Sequence, residues 1–197
     1  MSGSWIAILL CLAAFLILGL ANPWFDTLNL VTRRWVNRTR WPRLRPLMVL
    51  THHANDILAL SAQLVALSLL AGLLFHDWYR ATVLSASVLV QTAVIGVSKQ
   101  LTSVDRPPQI ATHILMTTGS YPIGHSSVSL SCAFLIPAVF RPYLPPPLLA
   151  AMTGYLLIAA LLTAYGRLYL DVHWLTDIFG GWLLAAATVL ISRMLLA

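Results

Sequence analysis

Long apolar runs separated by short polar ones divide the chain. A bilayer core of about 30 Å takes roughly 20 apolar residues of helix. Six stretches meet or approach that length: 4–21, 47–75, 81–101, 126–140, 147–165 and 174–196. The breaks between them are chemically distinct. Asn22-Pro23 ends the first run and His76-Asp77 the second, while Arg106-Pro107-Pro108 forbids the third from continuing. Arg141-Pro142 and Pro145-Pro146-Pro147 make a stiff link between the fourth and fifth. The fourth run is short and carries Ser127, Ser129 and Ser131, which predicts a helix buried among others, its hydroxyls bonded back to the preceding turn. No internal repeat or low-complexity tract interrupts the pattern.

Between the first two runs, residues 22–46 interleave Trp24, Phe25, Trp35 and Trp41 with arginines. Aromatics and Arg together predict a helix lying in the membrane plane. Its first role is anchorage; the sharper alternative is a docking surface for an anionic lipid. The expected fold is therefore all-α: a polytopic membrane protein of six transmembrane helices, one domain over 1–197, with an interfacial helix between the first and second. The first run is read as a retained span rather than a signal peptide. It has no Lys/Arg before it, and its apolar length exceeds that of a secretory h-region.

Composition agrees. Hydrophobic residues make up 59% of the chain and charged ones 9%, against roughly 25% charged in an average soluble domain, and the mean hydropathy is +0.82. A net charge of +6 invites a nucleic-acid reading, which the distribution argues against. Six of the twelve basic residues, Arg33, Arg34, Arg38, Arg40, Arg43 and Arg45, fall in the stretch beside the first span, where membrane phospholipids are the expected partner and no nucleic acid is. Cys11 and Cys132 sit inside apolar runs and are read as packing residues.

Parity then brings the polar residues together. With six spans, the loops after the first, third and fifth share one side of the membrane. Those loops hold the arginine stretch, the region from Lys99 to His125, and the region from Arg167 to His173. Lys99, the only lysine, stands seven residues before Arg106, close to two helical turns, so the two cations are expected to look the same way. Arg167 adds a third. Three fixed cations around one space describe a phosphate or sulfate site. Gly124 allows close backbone approach where the fourth helix starts, and the free N–H groups there suit a phosphoryl oxygen. His125 stands at the mouth of that helix, placed to protonate a leaving oxygen. His173 and Asp177 are four apart, so on a helix they share a face, and the carboxylate fixes the imidazole as a nucleophile.

These residues carry a resemblance. Lys99-Gln-Leu-Thr-Ser-Val-Asp-Arg106-Pro107, Pro122-Ile123-Gly124-His125, and Gly166-Arg167 through His173 to Asp177 are similar, in order and separation, to the three motifs of the type 2 phosphatidic acid phosphatase superfamily, which includes vanadium haloperoxidases. The resemblance implies a lipid phosphatase in which His173 attacks phosphorus to form a phosphohistidine, Asp177 orients it and His125 protonates the departing group. Lys99, Arg106 and Arg167, with the backbone at Gly124, would hold the phosphate oxygens, with no cofactor and no metal. Two departures stand out. Ile123 and Gly166 occupy positions where the family has serine, and the nearest hydroxyls to replace the first are Ser120 and Ser126. One lost hydrogen bond to an anion costs about 1.5–3 kcal/mol, enough to slow catalysis without abolishing it.

The expected substrate is a phosphomonoester or pyrophosphate on a lipid headgroup: phosphatidate, phosphatidylglycerol phosphate, undecaprenyl pyrophosphate and lipid A all fit. A phosphotransferase using the same intermediate, or a non-catalytic lipid-binding or transport protein, are the alternatives. The positive-inside rule would put the arginine stretch in the cytoplasm. Bacterial members of the family place the catalytic side in the periplasm, and that precedent is preferred for an inner-membrane protein whose interfacial arginines grip lipid phosphates. His52, His53, Asn55 and Asp56 are read as an interfacial hydrogen-bond network ahead of cavity lining, Asp105 and Asp171 as structural partners of arginines, and His113 as solvated.

Overall fold

A computed structural model describes residues 2–55, 57–108 and 118–197; Asp56 and His113 therefore lie outside the described residues. The described chain is helical, with no strand. Eight α-helices follow in order: α1 (Ser2–Leu20), α2 (Asp26–Thr39), α3 (Arg45–Ala54), α4 (Ile57–Phe75), α5 (Trp78–Thr102), α6 (Gly124–Phe140), α7 (Pro146–Tyr169) and α8 (Leu175–Leu196). Among them α1, α5, α7 and α8 are long and apolar enough to cross a bilayer, while α4 and α6 offer shorter apolar lengths, Ala62–Phe75 and Gly124–Phe140. These lengths and compositions are those of a multi-pass membrane protein.

The expected second span, 47–75, is two helices rather than one. Asn55 is the cause. Its amide nitrogen donates to the Thr51 carbonyl at 3.0 Å, and its Oδ1 accepts the Ser129 hydroxyl at 3.0 Å, so the side chain competes with helix continuation. α3 consequently lies as a short separate helix against the end of α7, where Met48 packs with Tyr169, Leu170 and Val172.

Helix α6 is the centre of the bundle. At 17 residues it is about 25 Å long, and nearly every side chain on it is buried, packed between α7 and α8. Its serines bond sideways more than backwards. Ser127 donates to the Gly181 carbonyl at 2.7 Å and accepts from Gln91 at 2.7 Å; Ser129 alone of the three also bonds back, to the His125 carbonyl at 2.7 Å. In a hydrocarbon setting such inter-helix bonds satisfy groups that lipid cannot.

The expected interfacial helix is α2. It leaves Leu28, Leu30, Val31 and Trp35 exposed, and buries Asn29 and Val36. A buried polar cluster fixes it: Asn22 and Asn29 each donate to the Thr176 hydroxyl at 3.1 Å, and Asn29 Oδ1 accepts the Thr176 N–H at 3.2 Å. Arg33 makes a two-pronged pair with Asp171, at 2.7 and 2.8 Å. Asp171 sits in the left-handed region (φ 58°) in the turn after α7, a strained setting for a residue with a Cβ. The ion pair clamps that turn, so Asp171 has the structural role its position suggested.

Tyr121 ties α1 to the loop before α6. Its ring stacks on Phe15 with centroids 5.6 Å apart, and its hydroxyl donates to the Phe15 carbonyl. Gly180 makes room for it, since a Cβ there would stand 2.3 Å from the Tyr121 ring. Gly180→Ala is therefore expected to destabilise the protein by about 1–3 kcal/mol, read as a lowered thermal unfolding midpoint in detergent. An unchanged midpoint would contradict this packing.

Candidate active site

Three chain segments meet at one end of the bundle. The first is the end of α5 and the loop beyond it. Ser103, left-handed at φ 47°, stops the helix after Thr102, so Arg106 is not on the Lys99 helix as the two-turn spacing suggested. The loop folds back instead, with the Ser120 N–H donating to the Val104 carbonyl at 2.8 Å. Lys99 and Arg106 nonetheless share a cavity of about 630 Å³, walled also by Thr118 and Gly119.

Arg106 is held by its surroundings. Its guanidinium donates to the Thr118 carbonyl (2.8 Å), the Gly119 carbonyl (3.2 Å) and the Val172 carbonyl (2.7 Å). The same Nη1 lies 3.1 Å from His173 Nε2. A guanidinium has no acceptor, so His173 Nε2 must receive this bond on its lone pair. The ring hydrogen is then on Nδ1, which faces Asp177 Oδ2 at 3.1 Å.

Asp177 is reached differently from the expected i, i+4 pairing along a helix. α8 begins at Leu175, after His173, and Asp177 lies in its first turn. The carboxylate turns back to accept the Trp174 N–H at 2.7 Å, as helix-capping acids do. The same oxygen accepts the Ser120 hydroxyl, and Ser120 Oγ is also 3.3 Å from His173 Nδ1. His173, Asp177 and Ser120 are all buried, and no other described residue bonds Asp177 Oδ1. Burial, and after it the charges of Arg106, Lys99 and Arg167, push the His173 pKa well below the usual value, outweighing the contribution of Ser120. Burial also lowers that of Arg106.

The second segment is the start of α6. Gly124 and His125 are its first two residues, two residues earlier than the apolar pattern suggested, so their N–H groups belong to the set with no intrahelical acceptor. Ile123 N–H donates to the Asp177 carbonyl at 3.2 Å, which ties this turn to the His173 segment. The Ile123 side chain turns away from the cations and packs with Ala164 and Ile178. Neither nearby hydroxyl is idle: Ser120 bonds Asp177, and Ser126 accepts from the Trp182 indole at 2.9 Å.

The third segment is the end of α7, which runs to Tyr169 and so carries Arg167 on helix rather than in the following loop. Arg167 is buried, and its Nη1 bonds His52 Nδ1 from α3. The His52 ring stacks on His125 with centroids 5.9 Å apart. The site thus gathers Lys99, Arg106, Gly124, His125, Arg167, His173 and Asp177. It adds two residues the motifs did not single out, Ser120 and His52. For Ser120, position beside the second motif was the one available signal; for His52, it was an imidazole on the converging side. The remaining arginines of 33–45 stay outside. Arg34, Arg38, Arg43 and Arg45 are exposed, and Arg40 lies over the Tyr169 ring at 5.2 Å.

Cations from three segments thus stand at one end of the bundle together with His125, His173 and Asp177, and comparisons with known proteins identify the lineage. The PAP2 superfamily profile matches residues 80–196, more than half of the chain, and the protein belongs to that family. Two crystal structures share the fold. The first is the transmembrane PAP2-type phosphatidylglycerolphosphate phosphatase of Bacillus subtilis, 20% identical over 95% of this chain and 94% of that one, with a TM-score of 0.86. The second is Aquifex aeolicus LpxE, 20% identical over 85% of this chain and 95% of that one, with a TM-score of 0.67. No curated protein sequence matches the chain significantly.

A depressed pKa leaves the His173 ring unprotonated to lower pH. Followed by NMR in detergent, its titration is expected to have a midpoint below 6.5, the ordinary histidine value; a midpoint at or above it would contradict the buried, cation-facing setting.

Proposed function

We propose that the protein is a six-span, single-domain membrane phosphatase that hydrolyses a phosphomonoester or pyrophosphate on a lipid headgroup through a phosphohistidine. The observation that carries this reading is the His173 ring, whose Nδ1–H is held by Asp177 while Nε2 turns its lone pair to Arg106. An imidazole so oriented is a nucleophile with its tautomer set.

In the proposed reaction a phosphoryl group enters between the cations, and Arg106 redirects its hydrogen bond from Nε2 to a phosphoryl oxygen, keeping its proton. Nε2 attacks phosphorus as the bond to the leaving oxygen breaks, and His125 gives that oxygen a proton. Lys99, Arg106, Arg167 and the N–H groups at Gly124 stabilise the charge on the equatorial oxygens. Water, deprotonated by His125, then attacks the phosphohistidine, releasing inorganic phosphate and restoring the ring. Because three side-chain cations supply the charge that a metal would otherwise bring, the reaction is proposed to run without one.

A lipid substrate is supported by the setting: the cavity holding Lys99 and Arg106 belongs to an apolar bundle whose interfacial helix α2 carries exposed arginines. The name of the Bacillus subtilis neighbour, a phosphatidylglycerolphosphate phosphatase, points toward a lipid phosphate as well. His173→Ala is expected to lower phosphate release from phosphatidylglycerol phosphate or undecaprenyl pyrophosphate by roughly 10³-fold or more, while chelator leaves the wild-type rate in place. Activity that survives the substitution, or that chelator abolishes, would contradict the mechanism. His125→Ala should slow the first-turnover release of alcohol from an alkyl phosphate lipid about 10²–10⁴-fold but slow the first-turnover burst of p-nitrophenol from p-nitrophenyl phosphate much less, since that leaving group needs no proton; equal losses in the two bursts would remove His125 as the acid.

The active-site end is proposed to face the periplasm of an inner-membrane protein. A cysteine placed at exposed Arg38, in a background lacking Cys11 and Cys132, is then expected to react with a membrane-impermeant thiol reagent in intact cells. Protection until the cells are lysed would reverse the orientation and restore the positive-inside rule.

A further inference from the structure

Helix α3 exists because the second apolar run breaks at Asn55, and it lies directly against the helix end that carries Arg167. The fit is close at Gly166. A Cβ there would stand 3.2 Å from Thr51 Oγ1 and 3.4 Å from Met48 Sδ, so a side chain at this position would crowd α3. The residue after Thr51 is His52, and the residue after Gly166 is Arg167; these two side chains bond through Nδ1 and Nη1. Arg167 is 1% exposed. The guanidinium can only donate, so His52 Nδ1 accepts, and the ring is neutral with its hydrogen on Nε2. On its other side the ring stacks on His125 at an interplanar angle of 26°.

We propose that His52 is a positioning residue of the phosphate site, holding the Arg167 guanidinium in its phosphate-binding orientation while its ring backs His125. The inference rests on the phosphatase reading above for what Arg167 binds. Its physical basis is separate. A long arginine side chain has many rotamers, and fixing the fork in advance removes an ordering cost that anion binding would otherwise carry. Gly166 and His52 are then one adaptation: where the family resemblance places a serine, this chain has an open position that admits α3, and α3 brings an imidazole to the arginine.

The test depends on which ring atom matters. Asparagine at 52 puts an amide oxygen where Nδ1 stands, whereas glutamine reaches only the Nε2 position. Binding of inorganic phosphate by the purified protein, measured calorimetrically, is expected to be roughly 10- to 100-fold weaker in His52→Ala and His52→Gln and close to wild type in His52→Asn. The kcat for a lipid phosphate should fall in the same order. Wild-type affinity in His52→Ala, or His52→Asn as weak as His52→Ala, would overturn the proposal. So would ¹⁵N NMR of the unsubstituted protein showing the ring hydrogen on Nδ1, a readout that needs no variant to fold. The two readings fail separately. Phosphate binding that follows this order without lipid hydrolysis would sink the phosphatase and keep His52, whereas hydrolysis indifferent to residue 52 would do the reverse.

Discussion

One oxygen of one buried carboxylate organises the active-site end. Asp177 Oδ2 receives the Trp174 N–H at the start of α8, the Ser120 hydroxyl from the loop before α6, and His173 Nδ1. Each donor comes from a different structural need: a helix start to be capped, a loop to be pinned, an imidazole to be aimed. A carboxylate buried in apolar surroundings is expensive unless it is hydrogen-bonded, and here three donors and the nearby cations offset part of that cost. The arrangement is consequently cooperative. Moving any donor leaves a buried charge less satisfied, so the His173 orientation is held by the folding of its surroundings as much as by its own contact.

Around that centre the protein uses polar side chains where a soluble domain would rely on water. The Asn22–Asn29–Thr176 cluster holds α2 against the start of α8, and the Arg33–Asp171 pair holds it against the turn leading to His173. Ser127 and Gln91 knit α6 to α8 and α5. The interfacial helix is therefore more than an anchor: two of its side chains brace the segment that carries the proposed nucleophile. Of the arginines of 33–45, Arg33 is committed to a carboxylate and Arg40 lies over an aromatic ring.

Much of this was legible in the chain because a hydrophobic sequence makes its polar residues conspicuous. Lys99, Arg106, His125, Arg167, His173 and Asp177 stand out against apolar surroundings, and the fold brings them to one end of the bundle. Burial of α6 was readable from its length and its serines. The break at Asn55 was not: Thr51, His52, His53, Asn55 and Asp56 form a polar island within the second run, but the run was long enough to read as one span, and the tertiary partner of Asn55, Ser129, is on a helix 74 positions away. The same holds for His52 and Ser120, whose roles depend on neighbours that no periodicity connects to them. The Lys99–Arg106 and His173–Asp177 pairings were foreseen as helical spacing and are met by other means, a folded-back loop and a capped helix start. Spacing fixed the reach between these groups, while turns and caps set the route.

The direct measurement is to trap the enzyme during turnover. A lipid phosphomonoester carrying ³²P, mixed rapidly with the protein and quenched in alkali, should leave label on a histidine-containing peptide, and mass spectrometry should place it at residue 173. Hydrolysis through His173 predicts an alkali-stable, acid-labile adduct that forms as fast as turnover and is absent from His173→Ala. Full turnover with no label on the protein, or label on another residue, would contradict the mechanism.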